Sequence, residues 1–170
     1  MFEMIRICNS KMLGLVKVLI TIMAAALVIV VFSNVLGRYF FNFALAWAEE
    51  TARFLFIWLS FLGAILANAH AEHMHLDIFI HWMPEKIGKG MLIFGNTVVL
   101  VILGLLVDGG ATMVVQNYNW QTSALEISYG LVYSIAPISC IIMILQVAAR
   151  LYKIIVASKI ITEKPGGGVM

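Results

Sequence analysis

The chain has 170 residues, of which 62% are hydrophobic and only 12% are charged. A soluble domain is roughly half apolar and a quarter charged, so the composition excludes an ordinary soluble protein and predicts an integral membrane protein. The formal net charge of +2 gives no indication of nucleic-acid binding, and two cysteines provide no disulfide framework.

Four stretches are apolar enough, and long enough, to cross a membrane as helices of about 20 residues. They cover approximately residues 13–36, 47–69, 90–111 and 127–149. The connections between them are too short to hold a soluble domain. We therefore expect an all-α integral membrane protein with a single four-helix membrane domain over residues 1–170. The first stretch is longer than the core of a signal peptide, about 7–15 residues, and is expected to remain as an anchor.

Basic residues predict how these helices are oriented. All of the 11 lysines and arginines except Arg38 and Arg53 lie in the terminal tails or in the connection between the second and third stretches. Because basic residues concentrate on the cytoplasmic side of a membrane, both termini are expected in the cytoplasm. Arg38 and Arg53 lie at the opposite boundary, close to Tyr39 and Trp47, which fit an interfacial belt of aromatic residues. These two arginines are expected to be held by carboxylates.

The second stretch begins with Glu49, Glu50 and Arg53 and is otherwise apolar. On a helix, residues three or four positions apart lie on one face, so either glutamate can meet Arg53. Charges at the edge of a membrane-spanning helix are costly and usually have partners. We therefore predict that these three residues and Arg38 form an ion network at the outer rim, which fixes the first two spans and meets a partner. The alternative is pairing within this chain alone.

Below these charges, the same face of the second span continues through small residues. It passes Phe56 and then Ser60, Gly63 and Ala67. Small residues allow two helices to approach closely within a membrane. This face is therefore predicted to contact another helix.

The inner side of the predicted fold carries polar residues. Residues 72–82 are expected to form a short amphipathic segment along the membrane surface or against another protein. All four histidines fall between residues 70 and 81, but their spacing matches no zinc motif and their position disfavours haem.

Pro137 is expected to kink the fourth span, because it cannot donate a backbone hydrogen bond. Residues 162–170, with a proline and three glycines, are expected to be flexible.

Residues able to carry chemistry are scarce in the spans. Asp108 is the one acid in the third span, and a contact at the outer boundary or with another subunit is expected in preference to a transport role. The sequence has no hydrolytic triad, phosphate-binding loop or redox motif, so no enzymatic activity is expected. This scarcity favours a subunit that packs against a larger membrane protein. Two alternatives stay open: a small self-sufficient oligomeric transporter or channel, and a membrane anchor for a redox enzyme.

Several motifs in the first half of the chain resemble a known family. They read Asn-Val-Leu-Gly-Arg-Tyr-Phe from Asn34, Trp-Ala-Glu-Glu-Thr-Ala-Arg from Trp47, Phe-Ile-Trp from Phe56, Phe-Leu-Gly-Ala from Phe61 and Glu-His-Met-His-Leu-Asp from Glu72. In combination they are similar to the small membrane subunits of tripartite ATP-independent periplasmic (TRAP) transporters, the DctQ/SiaQ family, and most similar to its sialic-acid type. His75 departs from the family pattern, in which a small or basic residue often stands there.

The resemblance implies a non-catalytic subunit of a sodium-coupled importer of organic acids, such as C4-dicarboxylates or sialic acid, in the bacterial cytoplasmic membrane. Besides membrane lipids, its implied partners are a large multi-span subunit of the SiaM or DctM type, which carries the substrate and sodium sites and moves as an elevator, and a periplasmic substrate-binding protein of the SiaP or DctP type. No cofactor is expected in this chain. The residues expected at subunit contacts or in structural roles are Asn34, Arg38, Tyr39, Trp47, Glu49, Glu50, Arg53, Trp58, Ser60, Gly63, Ala67, His73, Asp77 and Asp108.

Overall fold

A computed structural model of the chain describes residues 2–40, 43, 45–80 and 85–162. Side chains are described for residues 12–40, 43, 45–70, 88, 90–152, 154 and 155. The described chain forms five helices, which are α1 (Phe2–Phe40), α2 (Ala46–Ile80), α3 (Glu85–Gln116), α4 (Tyr129–Tyr133) and α5 (Ile135–Thr162).

Four stretches of these helices are apolar and long enough to cross a membrane. They are Met12–Phe40, Ala46–His70, Gly90–Gln116 and Tyr129–Tyr152, the last of which runs through α4 and α5. The prediction of an all-α protein with four spanning helices is therefore confirmed over the described residues. Because successive spans run in opposite directions, the α1–α2 and α3–α4 connections share one end, called here the Glu50 end. The α2–α3 connection lies at the other end, called the Arg150 end.

The second helix is longer than the sequence suggested. Residues 72–80, which we assigned to a separate inner segment, continue α2 without interruption as far as Ile80. The polar residues there suggested a connection, but the sequence places no proline between Ala46 and Pro84, so nothing forces the helix to end earlier. Residues 81–84 and the predicted flexible tail beyond Thr162 lie outside the described residues.

The spanning helices form a chain of neighbours rather than a closed bundle. Among the described residues, α1 packs mainly on α2, α2 packs on α5, α5 packs on α3, and α2 and α3 touch only slightly. One apolar cluster joins α1, α2 and α5 through Val16, Leu62, Ile65 and Ile135. A second cluster joins α3 and α5. In the fourth span 28% of the apolar stretch is buried, against 6% in the first and third spans. Helix α5 is therefore the central element.

The fourth span is interrupted at Ser134, between α4 and α5. Pro137 follows closely, and its nitrogen cannot donate to the carbonyl of Tyr133. The backbone hydrogen bonds that cross the interruption run from Ser134 N to the Gly130 carbonyl (3.1 Å) and from Ile138 N to the Ser134 carbonyl (3.4 Å). The predicted irregularity near the proline is thus present, and it lies on the N-terminal side of that residue.

Two glycines allow the fourth span to lie directly against α3. A Cβ on Gly110 would stand 3.2 Å from Pro137 Cδ. A Cβ on Gly130 would stand 2.7 Å from the Val114 carbonyl oxygen and 2.8 Å from Tyr118 Cα. The neighbours of Gly130 are backbone atoms, which cannot rotate away, so no side chain fits at this position.

We expect Gly130→Ala to destabilise the protein by about 1–3 kcal/mol, the usual cost of overpacking a tight contact. The midpoint of thermal unfolding in detergent should therefore fall. Gly95→Ala is the matched control, because a Cβ on this glycine of the third span would meet nothing within 4 Å. Equal unfolding midpoints for the two variants would contradict the close approach of α4 to α3.

Candidate subunit interface and the loop held by Glu50

The connection between α3 and α4 is held in place by Glu50 of α2. The Glu50 carboxylate accepts hydrogen bonds from the backbone amide of Ala124, at 3.1 Å to Oε1 and 3.2 Å to Oε2. It also accepts one from the amide of Leu125, at 3.1 Å to Oε2. Hydrogen bonds to a charged group are roughly twice as strong as neutral ones. A single side chain therefore ties α2 to the segment that leads into the fourth span.

The same connection is also closed by its own hydrogen bonds. Thr122, only 3% exposed, pairs with Ile127 through two bonds, from Thr122 N to the Ile127 carbonyl (3.0 Å) and from Ile127 N to Thr122 Oγ1 (3.2 Å). Ser128 Oγ donates to the Tyr118 carbonyl at 2.6 Å. Glu126 takes the left-handed backbone conformation, with φ of 54°. The loop is thus a compact turn, and Glu50 binds the amides at its tip.

The predicted ion network does not form among the described side chains. Glu50 binds backbone amides rather than an arginine, and no ion pair joins Arg38, Glu49, Glu50 and Arg53 among the described side chains. Successive helical residues are rotated by about 100°, so Glu49 and Glu50 cannot share a face. Glu49 and Arg53 are exposed on the outward face of α2, whereas Glu50 is partly buried.

The turn between α1 and α2 is closed by residues of the first motif. Asn34 Oδ1 accepts a hydrogen bond from Leu45 N at 3.2 Å, just before α2 begins. The Gly37 carbonyl accepts one from Phe43 N at 3.1 Å. Asn34 therefore has a structural role in joining the first two spans. Tyr39 and Trp47 are exposed near this turn, at 81% and 45%.

Trp58 also has a structural role. Its indole Nε1 donates a hydrogen bond of 3.1 Å to the Val132 carbonyl, next to the interruption of the fourth span. A free carbonyl is costly in a membrane, where no water can satisfy it. The indole ring also packs against the cluster that joins α1, α2 and α5. The Trp58 side chain is therefore bound and packed within this chain.

The remaining predicted residues of α2 share one outward face, called here the α2 stripe. It consists of Glu49, Arg53, Phe56, Ser60, Gly63 and Ala67, which follow one another at intervals of three or four residues. Phe56 is 61% exposed, and a Cβ on Gly63 would meet nothing within 4 Å. The Ser60 hydroxyl donates to the Phe56 carbonyl of its own helix at 2.8 Å. No other helix of the described chain covers this face.

Asp108 is exposed on α3, well inside the third span. The helix ends at Gln116, so at a rise of about 1.5 Å per residue Asp108 lies about 12 Å from the Glu50 end of α3. An aspartate at the centre of a span costs about 2.5–3.5 kcal/mol on insertion scales. The nearby Thr112 hydroxyl donates to the backbone carbonyl of Asp108. No hydrogen bond or ion pair involves the Asp108 carboxylate in the described part of the chain.

A polar cluster at the Arg150 end was not predicted. Asn68 Nδ2 donates to Gln146 Oε1 at 2.8 Å, and Arg150 Nη2 donates to the Asn68 carbonyl at 2.6 Å. Gln146 Nε2 and Arg150 Nε are buried without a hydrogen-bond partner. Sequence reasoning counted Arg150 only as an orientation signal. The available clue was the spacing of Gln146 and Arg150, four apart on an apolar helix.

The histidine-rich region can be located only by its backbone. His73 and Asp77 lie in the last turns of α2, and their side chains fall outside the described residues. Among the described residues, no group of three or more His, Cys, Asp or Glu side chains could hold a metal ion. The proposed roles of His73 and Asp77 therefore stay predictions.

The comparison with known proteins identifies the family. The profile of the family described as "Tripartite ATP-independent periplasmic transporters, DctQ component" matches residues 27–157, which is most of the chain. The chain belongs to the DctQ family. This confirms the resemblance carried by the motifs of the first half. With four apolar spans, the protein is a multi-pass protein of the bacterial inner membrane, in a family of transporter permease subunits rather than enzymes.

Individual relatives agree with this family. A "Putative TRAP transporter small permease protein" of Haemophilus influenzae Rd is 32% identical over 123 residues, 72% of this chain and 74% of the relative. The "Sialic acid TRAP transporter permease protein SiaT" of H. influenzae 86-028NP is 26% identical over 69% of this chain, but that match is only 19% of the relative. The "C4-dicarboxylate TRAP transporter small permease protein DctQ" of Vibrio cholerae is 32% identical over 42% of this chain and 31% of the relative.

We expect Glu50→Ala to loosen the α3–α4 connection, because the amides of Ala124 and Leu125 lose their acceptor. A hydrogen bond to a charged group contributes about 1.5–3 kcal/mol, so amide hydrogen exchange in this loop should become about tenfold faster or more. Hydrogen exchange with mass spectrometry measures this directly. Glu49→Ala is the matched control, since the neighbouring carboxylate does not bind the loop. Unchanged exchange in Glu50→Ala would refute the anchoring role.

Proposed function

We propose that this chain is a non-catalytic scaffold subunit of a tripartite, sodium-coupled importer of an organic acid. In this proposal it holds a large membrane subunit and helps to dock a periplasmic substrate-binding protein. The observation that carries the proposal is the α2 stripe, a face of low bulk with two charged residues that no helix of the described chain covers. Membership of a tripartite transporter family supplies the kind of partner that would cover it.

The distribution of charge supports a scaffold rather than a transport pathway in this chain. No charged residue lies between Lys17 and Arg38 in the first span, or between Glu126 and Arg150 in the fourth. Transport of ions and anionic substrates across a bilayer normally uses charged or polar groups near its centre. We therefore assign the substrate and sodium sites to the large subunit and no cofactor to this chain.

The α2 stripe is proposed as the surface on which a helix of the large subunit lies. Ser60, Gly63 and Ala67 would allow close backbone contact, while Glu49 and Arg53 would offer one charge of each sign near the Glu50 end. The relative SiaT supports such a partner, because the part similar to this chain makes up 19% of that longer permease. This reading is consistent with a small and a large permease acting together.

The Glu50 end is proposed to face the periplasm and the substrate-binding protein. The basic residues concentrate towards the opposite end, as expected for the cytoplasmic side. Trp120 and Tyr118 are 69% and 66% exposed in the loop that Glu50 anchors. An anchored loop with exposed aromatic side chains can present a defined surface to a partner at low entropic cost.

Sialic acid is our proposed substrate, although a C4-dicarboxylate is a close competitor. One relative named for sialic acid is 26% identical over 69% of this chain, and one named for C4-dicarboxylates is 32% identical over 42% of it. The large subunit and the binding protein would decide between these acids.

The decisive experiment is co-expression with a large permease subunit of a TRAP transporter from the same organism, followed by reconstitution into vesicles. We expect the two subunits to co-purify, and sodium-dependent uptake of sialic acid to require both of them and the binding protein. The matched control is a set of vesicles that contain this chain alone, which should show no uptake. Uptake by this chain alone would instead establish a self-sufficient transporter, and a haem absorbance band would establish a redox anchor.

We expect Gly63→Leu to reduce recovery of the complex by about fivefold or more, because a bulky residue would hold the partner helix away from α2. The isolated subunit should keep its unfolding midpoint, since a Cβ at this position meets nothing within its own chain. Gly95→Leu, at an equally open position on α3, is the control and should leave recovery unchanged. Normal recovery of the complex with Gly63→Leu would exclude the α2 stripe as the contact surface.

A further inference from the structure

Asp108 lies on a second exposed surface, called here the Asp108 face, which is separate from the α2 stripe. On α3 it lies in line with Val101, Gly104 and Thr112, and all four residues are exposed. A Cβ on Gly104 would meet nothing within 4 Å. Helix α3 packs mainly on α5 and touches α2 only slightly, so this face and the α2 stripe belong to different helices at different places in the fold.

The carboxylate on this face has no partner within the described chain. The Thr112 hydroxyl, one helical turn away, is directed to the Asp108 backbone carbonyl at 3.0 Å. The apolar stretch of α3 contains no basic residue that could reach the carboxylate. Acidic groups inside a membrane almost always face protein or a water-filled cavity and pair with another group.

We propose that Asp108 pairs with a lysine or arginine on a membrane-spanning helix of the large subunit. This rests on the proposed scaffold function and names the chemistry of one further contact with the same partner. The open position of Gly104, one turn below, lets such a helix approach closely enough for its cation to reach the carboxylate. The large subunit therefore contacts two separated faces, the α2 stripe and the Asp108 face.

Other sources of positive charge fit the position less well. Asp108 lies inside the apolar stretch Gly90–Gln116, about 12 Å from the Glu50 end of α3, where a partner helix fits better than a lipid headgroup. A second copy of this chain could offer Arg53, which lies at a similar depth in α2. That residue belongs to the α2 stripe, however, and a contact between two different faces of identical chains does not close on itself as a pair.

The test compares Asp108→Asn with Glu126→Gln, a matched loss of one exposed acid in the anchored loop. The wild-type complex and the Glu126→Gln complex are expected to survive purification in mild detergent. Retention of the large subunit by Asp108→Asn should fall by about tenfold or more, as for loss of one member of a buried ion pair. The free Asp108→Asn subunit should keep its unfolding midpoint, because the carboxylate has no bond within the chain.

A charge exchange identifies the partner residue. Asp108→Lys should abolish the complex, and replacement by Asp of one basic residue in the membrane helices of the large subunit should restore it. If Asp108→Asn retains the large subunit as well as the wild type does, this inference is wrong and the scaffold function still stands. Restoration by Arg53→Asp in a second copy would also overturn it, in favour of self-association. Absence of a wild-type complex would overturn the scaffold function itself.

Discussion

The contact between α2 and the fourth span is the interaction on which the rest of the structure depends. Three polar links join them along the whole thickness of the membrane: Glu50 to the loop before α4, Trp58 to the Val132 carbonyl, and Asn68 to Gln146 and Arg150. Burial of apolar surface gives little preference for one helix arrangement in lipid, because lipid tails are as apolar as leucine. Directional hydrogen bonds therefore set the register of these helices, and the packing of Leu62 and Ile65 fills the space between them.

Helix α2 contributes both to the contact with the fourth span and to the α2 stripe, because adjacent residues of a helix point in directions about 100° apart. Glu49 and Glu50 are adjacent in sequence, yet one is exposed and the other binds the loop inside the chain. The residues at positions 50, 58 and 68 face the fourth span, whereas those of the α2 stripe face outward. The stripe is consequently presented by a helix whose opposite side is already fixed, which lowers the entropy lost when a partner binds.

Local patterns in the sequence were sufficient for the number of spans, their approximate limits and the family. They were insufficient for the partner of Glu50. A spacing of three residues permits an ion pair with Arg53, but it does not show that the carboxylate instead accepts hydrogen bonds from a distant loop. The cluster of Asn68, Gln146 and Arg150 joins residues far apart in sequence, and the spacing of Gln146 and Arg150 shows that they share a face but does not identify Asn68 as their partner. The end of α2 was misplaced because polar residues at 72–80 suggested a loop, although no residue there breaks a helix.

The arrangement of the helices suits the proposed engagement of a partner at two places. Helices α2 and α3 hardly touch each other, so their relative position is set by α5, which packs on both. At α5, the close approach of Gly110 to Pro137 fixes α3, and the hydrogen bonds of Asn68 with Gln146 and Arg150 fix α2. The spacing between the α2 stripe and Asp108 is thus built into the central helix. In the proposed complex, a subunit whose two outward faces are held at a constant separation would brace the large subunit, whereas four loosely packed helices would deform with it.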